Sequence, residues 1–392
     1  MDNVHDSLQN SLSLSGIEQP AQDVAFLMRL FQTAERINAS DIHLMLGETP
    51  YFRVPDGIAS RKGEGLKDNH VEMIMNPTLT DALREAYMKR GYVDYAYETS
   101  VPITEKESRR VRYRIQLYKS RGAMAAAIRR IKLQIATFEE LHLPPVYEAA
   151  IRRRPKGIII IGGETGSGKS TTLAAMIDYI NQREMKHIVT IEDPIEYIIP
   201  SHQSRINQRE MGQDFPTYSE ALRAVVRQDP DVILIGEMRD ADTVRTAITA
   251  AETGHLVLTT LHTAEASQTF YRILNFFGEA EKEAVRMNLS TTLIAIMNQM
   301  LLPSIQHNVA RVPATEVLIN TPAVRMYIER GEESRIPDII ESGEDGMRSF
   351  NYSLLELHKE EYIDRATALR ASLHPDKLRT LLAFEGEIKP SD

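Results

Sequence analysis

Cysteine is absent from all 392 residues, which excludes disulfides and thiolate zinc clusters and leaves a reducing compartment open. Long apolar runs are missing as well. No window approaches the ~18 uninterrupted apolar residues of a spanning helix, and the polar residues 1–10 do not have the form of a secretory signal. A soluble chain is therefore expected, one that could still dock on a membrane protein. Basic excess is the third absence: Lys plus Arg total 46 against 55 Asp plus Glu, a formal charge of -9. A duplex-DNA binder normally carries a basic face to displace counterions, so nucleic acid is not expected as a partner.

With 42% hydrophobic residues the chain is long enough for two domains, each with its own core. Residues 1–22, rich in Ser, Gln and Asp, read as a mobile tail. A helix is expected over 23–38, where Val24, Leu27, Met28, Leu30, Phe31, Ala34 and Ile37 recur near a 3.6-residue period. Strands are expected at 41–46, 51–54, 93–98 and 110–118. The last alternates Val111, Tyr113, Ile115 and Leu117 with Arg110, Arg112, Arg114 and Gln116, making one face apolar and the other basic. A charged loop at 60–68 and a helix at 79–90 complete a smaller α+β amino-terminal domain, 23–133. Residues 134–145 end in Pro144-Pro145, which forbids helix continuation and suits a linker.

From Gly157 the pattern becomes continuous Val/Ile/Leu strands, 158–161, 188–191, 232–235 and 256–260, separated by helices from Lys169, near 218–228 and from Asp240. That alternation predicts an α/β domain over 146–392 with a parallel sheet covered on both faces. Beyond Ala266 the chain reads as mainly helical.

Gly163-Glu164-Thr165-Gly166-Ser167-Gly168-Lys169-Ser170 fits a phosphate-binding loop, and it lies where one is useful, between an expected strand and an expected helix. The glycines allow backbone N-H groups to point at phosphates, with the helix amino terminus adding positive potential. Lys169 is placed for the β and γ phosphates, Ser170 for Mg²⁺ and Thr171 for the α phosphate. The motif alone implies a nucleotide with Mg²⁺ and no more, because kinases, GTPases and motors share it.

Two apolar strands then end in acid. Val232-Ile233-Leu234-Ile235 runs into Gly236-Glu237, and 188–191 into Glu192-Asp193-Pro194. Carboxyl ends of parallel strands are where ligands bind in such sheets. Glu237 can hold the Mg²⁺ shell or polarise the attacking water, and Glu192 is the second candidate base. Asp231 precedes its strand, at the wrong end. His262 follows the strand at 256–260 and is a candidate γ-phosphate sensor; His255, at the strand start, is a weaker one. Arg112, Arg114 and Arg121 could be donated across a subunit boundary to neutralise charge on the transferred phosphoryl, whereas such a stripe is otherwise simply solvated. Lys119, Arg129 and Arg130 are lesser candidates of the same kind.

Taken together, these segments resemble the secretion ATPases, specifically the PilT-like motors of type IV pilus retraction and twitching motility. Residues 190–196 resemble that family's Asp box, 231–239 its Walker B segment, and 250–255 through His262-Thr263 its His box. Residues 39–44 and 112–122 resemble its PAS-like amino-terminal domain and arginine segment. The resemblance implies a RecA-like ATPase domain, a homohexamer with ATP between neighbours, and partners among an inner-membrane pilus platform protein and other pilus motor subunits. It also implies a cytoplasmic location, peripheral at the inner membrane face. Glu164 stands where the family usually has proline, and Thr259 where it has glycine. The retraction motif Ala-Ile-Arg-Asn-Leu-Ile-Arg-Glu is matched only in part by Ala323-Val324-Arg325-Met326-Tyr327-Ile328-Glu329-Arg330. An assembly or secretion ATPase of the same superfamily is the alternative, and a DNA translocase or catalytically silent subunit stand further off.

Overall fold

A computed structural model describes residues 19–54, 57–60, 65–104, 108–131 and 134–386. Most of the expected tail, and the centre of the loop expected at 60–68, lie outside those residues. The chain divides into two compact units, Met1–Leu133 and Gln134–Asp392.

The first unit is an antiparallel sheet flanked by helices. Its strands are β1 (Asp41–Met45), β2 (Tyr51–Val54), β3 (Gly57–Ser60), β4 (Tyr92–Pro102), β5 (Ser108–Ser120) and β6 (Ala123–Ile131). Among the described residues they are ordered β3-β2-β1-β6-β5-β4. Helix α1 (Gln19–Arg36) presents Phe26, Leu27, Leu30, Phe31 and Ala34 to this sheet, along with α2 (Asp68–Thr78) and α3 (Asp81–Arg90). Phe31 stacks on Tyr113 of β5 at 4.0 Å between ring centroids. Val111, Tyr113, Ile115 and Leu117 are all buried, so the period-2 alternation of this strand carries through to its faces. Helix α1 starts at Gln19, inside the segment expected to be a tail, because hydrophobic periodicity cannot see a polar first turn. Strand β6 was not expected: its Ala-rich run carries little strand propensity, yet Ala126 and Ile128 join the core built with the helices, and Ala125 is buried too.

The second unit is the expected parallel α/β sheet. Strands β7 (Gly157–Gly162), β8 (His187–Glu192), β9 (Arg205–Glu210), β10 (Val232–Ile235), β11 (Leu256–Leu261), β12 (Leu293–Pro303) and β13 (Arg311–Ile319) are ordered β13-β12-β7-β11-β10-β8-β9. All neighbours pair parallel except β12 with β13. The helices are α4 (Val146–Arg153), α5 (Lys169–Asn181), α6 (Tyr218–Val225), α7 (Ala241–Glu252), α8 (Ala266–Leu274) and α9 (Glu279–Thr292). Every residue of β7 and β10 is buried, as expected of strands covered on both faces.

One expectation is completed here and one corrected. Beyond Ala266 the chain is mainly helical, as expected, but β12 and β13, which were not expected, extend the sheet. The run Leu293-Ile294-Ala295-Ile296-Met297 is continuously apolar, and such runs do not distinguish a buried strand from a buried helix. Helices α10 (Pro322–Arg330), α11 (Ile336–Glu341), α12 (Phe350–Lys359), α13 (Arg365–Ala371) and α14 (Pro375–Gly386) do follow. Part of this end builds a separate small core, with Leu354, Ile363 and Leu378 against Leu302 and Val312. The segment read as a linker, 134–145, is also ordered on this unit: Phe138, Leu141 and buried Leu143 join its main core.

Candidate nucleotide site

Strands β7, β11, β10 and β8 are adjacent and parallel, so their carboxyl ends share one edge. Gly162 pairs with Leu261, Ile235 with Thr259, and Ile235 again with Ile191. Just beyond those positions the chain carries, in order across the sheet, the loop at 163–170, His262, Glu237 and Glu192. Residues separated by up to 99 positions in sequence thus meet through register alone, in the crevice where open α/β sheets bind ligands.

The loop is shaped by glycine where no other residue fits. Gly163, Gly166 and Gly168 have φ of 145°, 82° and 92°, and a Cβ on Gly163 would lie 2.3 Å from Ser167 Oγ and 2.5 Å from the Gln299 carbonyl oxygen. Helix α5 starts at Lys169, whose Nζ donates to the carbonyls of Gly163 (2.7 Å) and Glu164 (2.8 Å). Burial lowers the Lys169 pKa, opposed by the charges of Glu237, Glu196 and Glu164. Ser167 Oγ is buried with no hydrogen-bond partner. Glu164, Thr165 and Gly166 are exposed at the loop tip, Ser170 is half-buried in the first turn of α5, and Thr171 Oγ1 lies 2.7 Å from Tyr197 Oη. A glycine cradle with backbone donors, a lysine and an orphaned hydroxyl fits a phosphate chain. Mg²⁺ keeps several waters and takes one or two protein oxygens, a demand the Ser170 hydroxyl and a Glu237 carboxylate can meet.

Glu237 is held from both sides. Arg239 Nε donates to its Oε2 at 2.8 Å, and His262 Nε2 is 3.4 Å from its Oε1. Arg239 also reaches Asp193 at 3.3 Å. The preceding turn is pinned by Thr260 Oγ1 donating to the Gly236 carbonyl at 2.6 Å and Gly236 N to the Ile191 carbonyl at 2.9 Å. A Cβ on Gly236 would sit 2.8 Å from Tyr218 Oη, which itself donates to Ile191 O at 2.8 Å. His262 has its pKa lowered, by burial first and the Lys169 ammonium second, so it is neutral at neutral pH. Glu192 differs: Thr190 Oγ1 (2.6 Å) and Gln208 Nε2 (3.1 Å) both donate to its Oε1, and burial pushes its pKa up to about 7. His255 stands at the opposite end of β11, with Nδ1 2.8 Å from the Ala250 carbonyl, and Asp231 accepts from His187 N at 2.8 Å at that same far end.

A family model described as type II/IV secretion system protein matches residues 104–351. The chain belongs to that family. It is 36% identical over 351 residues to a Pseudomonas aeruginosa protein described as type IV pilus retractation ATPase PilT, covering 89% of this chain and 99% of that one. A Neisseria gonorrhoeae twitching motility protein is 38% identical over 331 residues, 84% of this chain and 86% of its own. Among solved structures, the pilus retraction motor PilT with bound ADP superposes with a TM-score of 0.81 at 38% identity, covering 90% of this chain and 99% of that chain. The RecA-like α/β fold expected for the family is the one observed in the second unit.

The segment expected to supply arginines, 112–122, lies on β5 and the turn after it in the first unit, where Arg112 and Arg114 are engaged within that unit. Arg114 grips Asp94 through Nε (3.0 Å) and Nη2 (2.5 Å), and Arg112 Nη1 is 3.8 Å from Glu98, which Arg110 also holds. Arg121 is exposed at the β5–β6 turn with φ 53°. Four residues at the second unit's site were not singled out from sequence: Arg239, Tyr197, Gln208 and Gln299. Arg239 had a signal, a cation two residues beyond a strand-end acid. Tyr197 directly follows the acidic segment 190–196, whereas Gln208 and Gln299 reach the site from other strands and leave no local pattern.

Proposed function

We propose that this chain is a homohexameric ATPase motor that hydrolyses Mg²⁺-ATP to drive type IV pilus retraction and twitching motility. The observation that carries this reading is the alignment of a glycine-shaped phosphate loop, Glu237, Glu192 and His262 along four adjacent parallel strand ends, in a chain similar over most of its length to a retraction ATPase. Residues 163–171 bind the nucleotide: backbone N-H groups and Lys169 hold the phosphates. Bound Mg²⁺ supplies charge neutralisation at the phosphoryl oxygens, with Ser170 and Glu237 as its protein contacts. Glu237, flanked by His262 and oriented by Arg239, polarises the attacking water. Glu192, with a pKa near 7, assists by accepting or returning a proton. Neutral His262 donates toward the γ phosphate, and Arg112, Arg114 or Arg121 of a neighbouring subunit completes the site. Arg114 must leave Asp94, and Arg112 must leave Glu98, to do so, which favours exposed Arg121 for that role.

The motor is read as cytoplasmic, working against an inner-membrane platform protein alongside other pilus motor subunits. Among the described residues no helix is long and apolar enough to cross a membrane. The test is Mg²⁺-dependent ATPase activity per subunit against protein concentration. A cooperative rise supports shared sites in a ring, flat activity means each subunit is complete alone and removes the arginine assignment, and no activity with or without a platform partner removes the motor.

A further inference from the structure

Strand β12 lies beside β7, outside the segments that carry the phosphate loop, Glu237 and His262, and two adjacent residues of it bear buried amides. Gln299 is 3% exposed and Asn298 0%. Successive strand residues face opposite sides of a sheet, so the two amides serve different neighbours. Gln299 Nε2 donates to the Ser167 carbonyl at 2.7 Å, and its Oε1 accepts from Thr172 Oγ1 at 2.9 Å. Ser167 lies in the phosphate loop and Thr172 in the first turn of α5, on either side of Lys169 and Ser170. One side chain therefore spans the four-residue stretch that presents the lysine and the hydroxyl. The loop lies flat against it, since a Cβ on Gly168 would come 3.0 Å from Gln299 Nε2.

Asn298 faces the other way. Its Nδ2 donates to Glu316 Oε2 at 2.9 Å, and its Oδ1 accepts from Thr263 Oγ1 at 3.4 Å. Glu316 Oε2 also accepts from Ala266 N at 2.6 Å, and Thr263 Oγ1 meets Thr269 Oγ1 at 2.8 Å. The turn that follows His262 is thereby tied to β12 and β13. A Cβ on Gly162 would lie 1.6 Å from Asn298 Oδ1, so the last residue of β7 leaves the notch into which this amide fits.

We propose that Gln299 and Asn298 are positioning residues for nucleotide turnover: Gln299 sets the shape of the phosphate loop, Asn298 sets the turn bearing His262, and β12 fixes the spacing between the two. Burying two amides and a carboxylate beside an otherwise apolar strand is favourable only when each is satisfied, and both bonds of Gln299 and one bond of Asn298 end on segments of the nucleotide site. The inference rests on the reading of residues 163–171 as the phosphate loop.

The experiment measures the Kd for a fluorescent ADP analogue, kcat and KM for ATP, and thermal unfolding without nucleotide. The variants are Gln299→Leu, Gln299→Glu, Thr172→Val, Asn298→Ala and, as a check on the loop itself, Lys169→Ala. Gln299→Leu leaves the Ser167 carbonyl and Thr172 hydroxyl unpaired, and Gln299→Glu sets an acceptor against the carbonyl. Each is expected to raise Kd and KM about tenfold or more, in line with losing a buried hydrogen bond. Thr172→Val, which breaks one bond of the pair, is expected to raise Kd about threefold. Asn298→Ala is expected to lower kcat at least tenfold while leaving Kd within a factor of two. That split between neighbours is one a purely structural role would not produce. Gln299→Leu with unchanged Kd and a lowered melting temperature would reduce Gln299 to a core residue and overturn the proposal, as would equal effects on Kd and kcat at both positions. Should the leucine variant not fold, unchanged Kd in Gln299→Glu and Thr172→Val overturns it instead. Undiminished ADP binding in Lys169→Ala points elsewhere: the phosphate-loop reading itself would then be wrong.

Discussion

Glu192→Gln separates the two acids by their electrostatics. In the folded chain the Glu192 carboxyl is buried at the end of β8, with its pKa raised from an ordinary 4.5 to about 7. Between those values the folded state holds a proton that the unfolded chain has released. The associated stability is therefore fully present below about pH 4.5 and is lost as pH rises through about 7. A shift of this size corresponds to at most about 3 kcal/mol. Glutamine is never charged, yet its carbonyl still accepts from Thr190 Oγ1 and Gln208 Nε2. The variant and the parent should thus melt together at pH 5, and the variant should be the more stable at pH 8. For a unit of this size each kcal/mol moves the melting temperature by roughly 2–4 °C, so the gap at pH 8 has an upper bound of about 12 °C. The assay is thermal unfolding followed at pH 5, 6, 7 and 8, read on the transition that ADP shifts, because two units need not melt as one. Parallel curves across the whole range would show that Glu192 does not titrate there and would refute the argument, including the proton-carrying role.

Lys169→Ala should abolish turnover and weaken ADP binding, checked by single-turnover hydrolysis and equilibrium titration. Glu237→Gln should cut hydrolysis by about 10²–10⁴ while nucleotide affinity stays near that of the parent; similar losses in both would make Glu237 a binding residue only. Gly236→Ala places a methyl against Tyr218 Oη and should lower kcat and the melting temperature together, with partial recovery in the Gly236→Ala, Tyr218→Phe double variant. Arg121→Ala should lower turnover in assembled rings while sparing nucleotide binding, whereas Arg114→Ala, whose partner is Asp94 in its own unit, should act mainly on stability.

The parts of this molecule that could be read directly are those whose signal is contiguous. The phosphate loop is a nine-residue stretch between a buried strand and a helix, and β8, β10 and β11 announce themselves by apolar runs that end in acid or histidine. Strand β9 has no such run: Arg205, Asn207 and Arg209 make it look like loop, and it forms because its backbone pairs with the edge of β8. Strand β12 does have an apolar run, but following a helical pattern it reads as more helix. Losing β12 from the reading also lost Gln299, whose contacts with Ser167 and Thr172 are 132 and 127 residues away. Gln208 is hidden for the same reason, being a polar residue on an unrecognised strand. Side-chain partners contributed across a sheet depend on strand order, which periodicity does not encode.

Strand order also bears on the direction in which the motor works. The segment 323–330 departs from the retraction motif at Met326 and Tyr327 and exchanges the last two charges, and it forms helix α10. The positions that anchor the helix are kept: Val324 and Ile328, four residues apart, are both buried. The exchanged position, Glu329, accepts from Ser290 Oγ of α9 at 3.2 Å, and Glu333, just past the helix, is buried and held by Arg286 of α9 at 2.8 Å. So α10 is locked to α9, which leads directly into β12, the strand beside the phosphate loop. A charge exchange at this helix therefore falls on a segment bonded to α9 rather than on a detached appendage. If retraction requires that contact, Glu329→Arg should leave basal hydrolysis within about twofold, because no site residue is touched, and alter twitching in cells that carry the variant. Unchanged twitching would show that the direction of work is set elsewhere in the chain.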